Sequence, residues 1–186
     1  MKEMDELMDE HRVIERVLNT LEVSANLMES GVTVRPEFLL SAADFIRGYA
    51  DGCHHTKEEG VLFAHMAEQG IPLQGCPLGV MLAEHECGRQ YTRALTSAAQ
   101  ALQSGDSSGT RRAIQSSRSY VALLRQHIYK EDNILFPMAE NVIPIDQHDL
   151  IQERFDQVEH EDIGVDKHQK YLSLAIALEQ EISTYS

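Results

Sequence analysis

His54-His-Thr-Lys-Glu58-Glu-Gly-Val-Leu-Phe63 and His127-Ile-Tyr-Lys-Glu131-Asp-Asn-Ile-Leu-Phe136 are two copies of one pattern. In each, a histidine is followed four residues later by a glutamate, and then by an aliphatic-Leu-Phe run. Residues four apart on an α-helix stack on one face, so each copy offers a nitrogen and an oxygen ligand pointing the same way. Neither copy meets a proline or a turn cluster until Pro72 and Pro137, and each runs on to Met-Ala-Glu (Met66–Glu68 and Met138–Glu140). Two such devices in one chain point to a metal site with two similar halves. The competing reading is a pair of polar contacts on a solvated helix face.

Working outward, each device continues an apolar stripe. Leu39, Ala43, Ile46 and Ala50 lead into His54, Glu58 and Val61; Ala113, Ser117, Tyr120 and Leu124 lead into His127, Glu131, Ile134 and Met138. A solvated face does not predict that continuity. Two further helices carry one histidine each in the same way. The first reads Met4, Leu7, His11, Ile14, Leu18, Leu21, Ala25, Met28, and the other reads Leu78, Met81, His85, Gly88, Thr92, Leu95, Ala99, Leu102. Loops at Gly31–Arg35, Gln69–Pro77 and Ser104–Gly109 separate the four. The expected fold is all-α: an up-down-up-down four-helix bundle over residues 1–140. An extension over 141–186 follows, helical from about Gln147 to Glu159, broken near Gly164 and resumed near Asp166 as an N-cap. Its stripe of Tyr171, Leu174 or Ala175, Leu178 and Ile182 is expected to pack across the bundle.

Composition excludes several classes. The 186 residues suit one bundle plus its extension. With 16 basic against 30 acidic residues and a net charge of −14, neither a nucleic-acid face nor an anionic membrane surface is a natural partner. No apolar run reaches the length of a membrane span, and the acidic N-terminus lacks the apolar core of a signal peptide, so a cytoplasmic location is expected. Cys53, Cys76 and Cys87 form no paired spacing; they are either small core residues or thiols near the metal.

One shared site explains all four stripe histidines together, so the candidate metal ligands are His11, His54, Glu58, His85, His127 and Glu131. Imidazole with carboxylate suits iron, manganese or zinc, but six protein ligands are too many for one tetrahedral zinc. Two glutamates from opposed helices are what bridging two ions requires, which favours a di-iron centre. Glu15, one turn after His11, either binds metal, orients His11 or marks the edge of the stripe. Gly48, Gly52 and Gly60 either permit close helix approach or leave room for a bound diatomic. Glu59 and Asp132 fall about 100° off the ligand face of an ideal helix. Their alanine variants are expected to keep the charge-transfer bands of the centre. His65, His148 and His160 are expected at the surface.

These residues resemble the hemerythrin-like, or HHE cation-binding, family. The resemblance is carried by Glu10-His11-Arg with Ile14-Glu15, Cys53-His-His-Thr-Lys-Glu-Glu59, Glu84-His85-Glu, and His127-x-x-x-Glu131 with Leu135-Phe-Pro137; His168-Gln-Lys-Tyr171 is similar to a tail in some members. It implies two iron ions per chain, bridged by an oxo or hydroxo group and by two carboxylates. His11, His54, His85 and His127 match terminal ligands, and Glu58 and Glu131 match the bridges. The chain departs from the oxygen-carrying members, which use five histidines with two on the third helix and space the last carboxylate one residue further on. His55 matches a ligand of some relatives, although on an ideal helix it turns about 100° from His54. His168 either folds back over the site or caps its own helix.

Such a centre implies a protein reacting with oxygen, nitric oxide or peroxide for sensing, scavenging or iron handling. The alternatives are an enzyme turning over peroxide or nitric oxide, and a metal-stabilised storage or interaction bundle. The expected partner is a small diatomic or peroxide ligand, and no protein partner is indicated.

Overall fold

The computed structural model describes residues 2–159 and 165–185, with the side chains of Val165 and Asp166 left aside. The expected break near Gly164, the position of His160 and the capping role of Asp166 lie outside what is described. Six helices account for the rest, and there is no strand among the described residues. They are α1 (Lys2–Glu29), α2 (36–68), α3 (Leu78–Gln103), α4 (108–142), α5 (His148–Gln157) and α6 (Val165–Ser183). No helix is long and apolar enough to cross a membrane among those residues. Around the bundle α1 packs on α4, α4 on α3 and α3 on α2, while α6 lies against both α1 and α2.

The helices bury the stripes that their spacing predicts. Every stripe residue of α1 is buried, from Met4 to Met28, because apolar groups three and four apart line one face and leave water together. The core is split in two. One apolar cluster contains Ile14, Leu18, Phe38, Ala50, Leu95 and Tyr120. The other contains Met4, Leu7, Phe63, Met81, Phe136 and Phe155. The stripe histidines lie between them. Along α1 and α3 the second cluster precedes the histidine and the first follows it; along α2 and α4 the order is reversed.

Two helices are not uniformly α-helical. In α2, Ile46–His55 and Glu58–Leu62 are π-helical, and in α4 Glu131–Leu135 is. A π turn holds one more residue than an α turn, because its hydrogen bonds run i to i+5. The stripe expected on α4 is therefore corrected beyond Glu131. Ile134 is 52% exposed, and Leu135, Phe136 and Ala139 fill the core in its place.

The extension shares the bundle's core. Tyr171, Ala175, Leu178 and Ile182 are buried in the first cluster, with Leu174 only partly covered. The seat of Tyr171 is Gly48: a Cβ there would lie 1.9 Å from the Tyr171 hydroxyl oxygen. Gly48 thus serves close approach. Gly60 faces open space, where an added Cβ meets nothing within 4 Å. Gly48→Ala is expected to displace α6 and cost about 1–3 kcal/mol, the usual cost of overpacking. Urea denaturation checks it, and an unchanged midpoint would show that the ring moves aside freely.

Candidate metal centre

Five histidines converge, one more than the stripes alone supply. His11 comes from α1, His54 and His55 from α2, His85 from α3 and His127 from α4, and all five are buried. The fifth is His55, which stacks on His85 with ring centroids 3.8 Å apart. On an α-helix two successive residues do not face one way. The π-helical stretch that ends at His55 relaxes that limit and turns both rings inward.

Glu58 and Glu131 lie at the middle, each fully buried. Glu58 has one oxygen 3.5 Å from His54 Nε2 and the other 3.4 Å from His85 Nε2. Glu131 has one oxygen 3.1 Å from His127 Nε2 and the other 3.3 Å from His11 Nε2. Two groups of ligand atoms result, each spanning no more than 4.8 Å: His55, Glu58, His85 and His127 form one, and His11, His54, Glu58 and Glu131 the other. Glu58 belongs to both.

The outward face of each ring is held by a carboxylate. Nδ1–H of His11 donates to Asp132 (2.7 Å), that of His54 to Glu10 (2.8 Å) and that of His55 to Asp51 (3.4 Å). His85 donates to Glu59 (2.7 Å) and His127 to Glu84 (3.0 Å). An ionised carboxylate only accepts, so it fixes the proton on Nδ1 and frees Nε2 for a metal. Each carboxylate meets a cation in turn: Asp132 meets Arg12, Glu10 meets Lys57, Asp51 and Glu59 share Arg89, and Glu84 meets Lys130.

Of the inward nitrogens, Nε2 of His85 and of His127 pair with each other at 3.0 Å; the other inward atoms have no such partner. Nε2 of His11, His54 and His55 and both oxygens of Glu58 and Glu131 are buried without a well-formed hydrogen bond among the described residues. A buried polar atom left unpaired costs about 1–3 kcal/mol, and here seven are gathered in one place. Metal ions satisfy such a set at once, and the donor chemistry of imidazole and carboxylate fits iron.

This geometry sits inside a recognisable sequence. The family model described as the Hemerythrin HHE cation binding domain matches residues 3–139. The chain belongs to that family. Among curated proteins, uncharacterized proteins of Mycobacterium tuberculosis strain H37Rv and Mycobacterium bovis are each 22% identical to it over 181 residues, covering 97% of this chain and 70% of theirs. No solved structure matches it.

The other sequence-predicted residues of this hemerythrin HHE chain lie apart. Glu15 is at the surface, paired with Arg12 at 3.1 Å. His168 stands 3.2 Å from Glu159 and edge-on to Tyr49, and belongs to neither group of ligand atoms. His65 is partly covered, its ring against the Val61 carbonyl. His148 is corrected from surface to interior: it is buried against Glu3. Cys53 is a core residue whose thiol burial pushes up to about 12; Cys76 is exposed and Cys87 half-buried. Sequence reasoning also missed Lys57, which is fully buried among Glu6, Glu10 and Glu159. Its one signal was a lysine inside a stretch that otherwise reads as buried.

Glu59 and Asp132 lie off the ligand face, and each holds a ring nitrogen from behind. Glu59→Ala and Asp132→Ala are expected to weaken metal binding about 10- to 100-fold while leaving the spectrum of the saturated protein in place. Competition against a chelator measures the first part; affinity equal to wild type would refute it.

Protonation of the metal-free site follows from its charges. Burial opposes a proton on His127, but Glu131 and Glu84 outweigh it and hold the imidazole at about 9. His11 is raised likewise, Asp132 and Glu131 overcoming burial. Burial holds His54 and His55 well below the usual imidazole range, and neighbouring histidines add to it. An imidazole raised in the folded state contributes stability in full below 6.5, its ordinary value, and loses it as pH rises through the folded value. The metal-free bundle is therefore expected to lose on the order of 3 kcal/mol from His127 between about pH 6.5 and 9. His54 and His55 act only below that window. Urea denaturation across the range checks it. A flat profile in the metal-free protein would contradict it, whereas a flat profile is the expectation once metal replaces the protons.

Proposed function

We propose that this is a non-haem di-iron protein whose centre reacts with oxygen, nitric oxide or peroxide. His11 and His54 would hold one ion, His55, His85 and His127 the other, and Glu58 and Glu131 would bridge them. The observation that carries the reading is the pair of glutamates. Each turns its two oxygens toward histidines of different groups, and none of those oxygens has another well-formed partner among the described residues. The reversal of core order from helix to helix supports an up-down-up-down bundle around it.

When bound, two adjacent irons supply reversible one-electron chemistry toward a small ligand. The chain's own part is to place the donors, exclude water and fix protons. The apolar clusters shield the layer from water on the two sides along the helix axes. The five outward carboxylates keep each Nδ1 protonated, so the ligand nitrogen is always Nε2. The cations behind them offset their charge. His55 also bears on the comparison with oxygen carriers: five histidines gather here, with the pair on α2 rather than α3.

Elemental analysis and an optical spectrum test the proposal. Protein expressed with ample iron is expected to contain about two irons per chain, with near-ultraviolet charge-transfer bands that change on adding nitric oxide or peroxide. One zinc with negligible iron would overturn it.

A further inference from the structure

Between α2 and α3 a cavity of about 360 Å³ runs in from the surface. His55, His85, Gly88, Thr92 and Tyr120 wall its inner end and are buried, while Arg47, Arg93 and Gln100 at its outer end are exposed. The volume falls in the range of about 300–1,000 Å³ that holds small organic molecules, and far exceeds what a diatomic needs.

Its chemistry has three parts. The Tyr120 hydroxyl is buried in the wall with no partner among the described residues. A buried hydroxyl without a partner costs about 1–3 kcal/mol, which a ligand oxygen would recover. Arg47, Arg89 and Arg93 gather along this one cavity in a chain of net charge −14. Arg89 is committed to Asp51 and Glu59, but Arg47 and Arg93 each give a single nitrogen, to Asp44 and Glu86. A guanidinium has five N–H donors, so both keep several for an anion. Between the tyrosine and the arginines the wall is mostly carbon.

We propose that this cavity binds a small organic acid with an apolar body, its carboxylate held by Arg47 and Arg93 and a far hydroxyl or carbonyl oxygen by Tyr120. The inner end of such a ligand lies against His55 and His85, beside the proposed iron centre. Only that adjacency rests on the metal reading; the binding needs no iron.

Calorimetric titration of the iron-loaded full chain with omega-hydroxyoctanoate, octanoate and octanol tests it. These flexible probes carry both polar ends, the carboxylate alone and the hydroxyl alone. The hydroxy acid is expected to bind about fivefold tighter than either, the worth of one hydrogen bond. Tyr120→Phe should erase its advantage over octanoate, and the Arg47→Gln/Arg93→Gln pair its advantage over octanol. Thr96→Trp, which fills the cavity, should abolish binding and leave iron content unchanged; Gln100→Trp at the mouth carries the same test if that variant does not fold. Equal affinity for all three probes, or binding that survives both plugs, would overturn the proposal. A chain that takes up no iron when supplied with it, yet binds the acid, overturns only the metal reading. An iron-loaded chain with its spectrum intact that ignores the acid overturns only the cavity.

Discussion

Glu58→Met is expected to strip both ions from the protein and, in the same variant, to make the metal-free bundle more stable. Glu58 is completely buried, and both of its oxygens lack a hydrogen bond among the described residues. Burial and the charge of Glu131 push its carboxyl well above the usual carboxylate range, so in the absence of metal its ionised form is disfavoured. An apolar side chain of similar volume removes the unpaired polar atoms, for a gain of about 1–3 kcal/mol. With metal the balance would reverse, because a carboxylate that bridges, as proposed for Glu58, is shared by two ions, whereas His11→Ala would remove a donor from one. Iron per chain should therefore fall further in Glu58→Met than in His11→Ala, and the charge-transfer bands should vanish. Glu131→Met should also lose iron, but with the opposite effect on the metal-free protein. Burial opposes the charge of Glu131, yet His127, His11 and His85 overcome it and hold the carboxyl well below the usual range. Its removal strands buried imidazolium charge and should destabilise. Iron analysis and urea denaturation of the two variants separate the cases; the same sign of stability change in both would refute the assignment.

Lys57→Met is expected to have the second largest effect, a loss of about 3 kcal/mol in the metal-free protein. Burial works against the ammonium, but Glu10 and its neighbours hold it charged. The side chain has no solvent exposure and touches Glu6, Glu10 and Glu159 at 2.5, 2.7 and 3.1 Å. Breaking a buried pair by removing one partner costs about 3–5 kcal/mol. The lower figure applies because Glu6 and Glu159 are each one-quarter exposed and water can screen them. Glu10 is the partner that cannot escape. Glu10 is also the carboxylate behind His54, and without the cation that fixes its place its hold on that ring should loosen, so metal affinity should fall as well. Denaturation and chelator competition measure the two parts. A wild-type midpoint would mean that water reaches Glu10 more easily than its burial implies.

The periodic parts of the chain were legible because they obey a local rule. Apolar residues three and four apart named the stripes of α1 and α2, and the interruption of each stripe by a histidine named most of the centre. What stayed hidden depends on departures from the α-helical period or on contacts between distant helices. His55 and Leu135 face inward only because a π turn shifts the register, and no spacing in the sequence marks where a helix will widen. Asp132 meets His11 across 121 residues, and Glu10 meets His54 across 44. Such pairs follow from how the helices dock. The supporting role of Glu59 and Asp132 stayed hidden for a related reason: the ideal-helix angle takes them off the ligand face, to the backs of rings on neighbouring helices.

The widened turns of α2 change what a mutation of this centre can be. A π turn amounts to one residue inserted into an α-helix, and shortening the chain by one residue ahead of His54 would let the helix tighten. The two histidines would then take the separation of about 100° that successive residues have on an α-helix, and one would turn away from the proposed centre. The number of nitrogen donors there would change without replacing a single ligand, through the length of a neighbouring segment. On this scaffold a five-histidine and a four-histidine centre would then differ by one backbone residue.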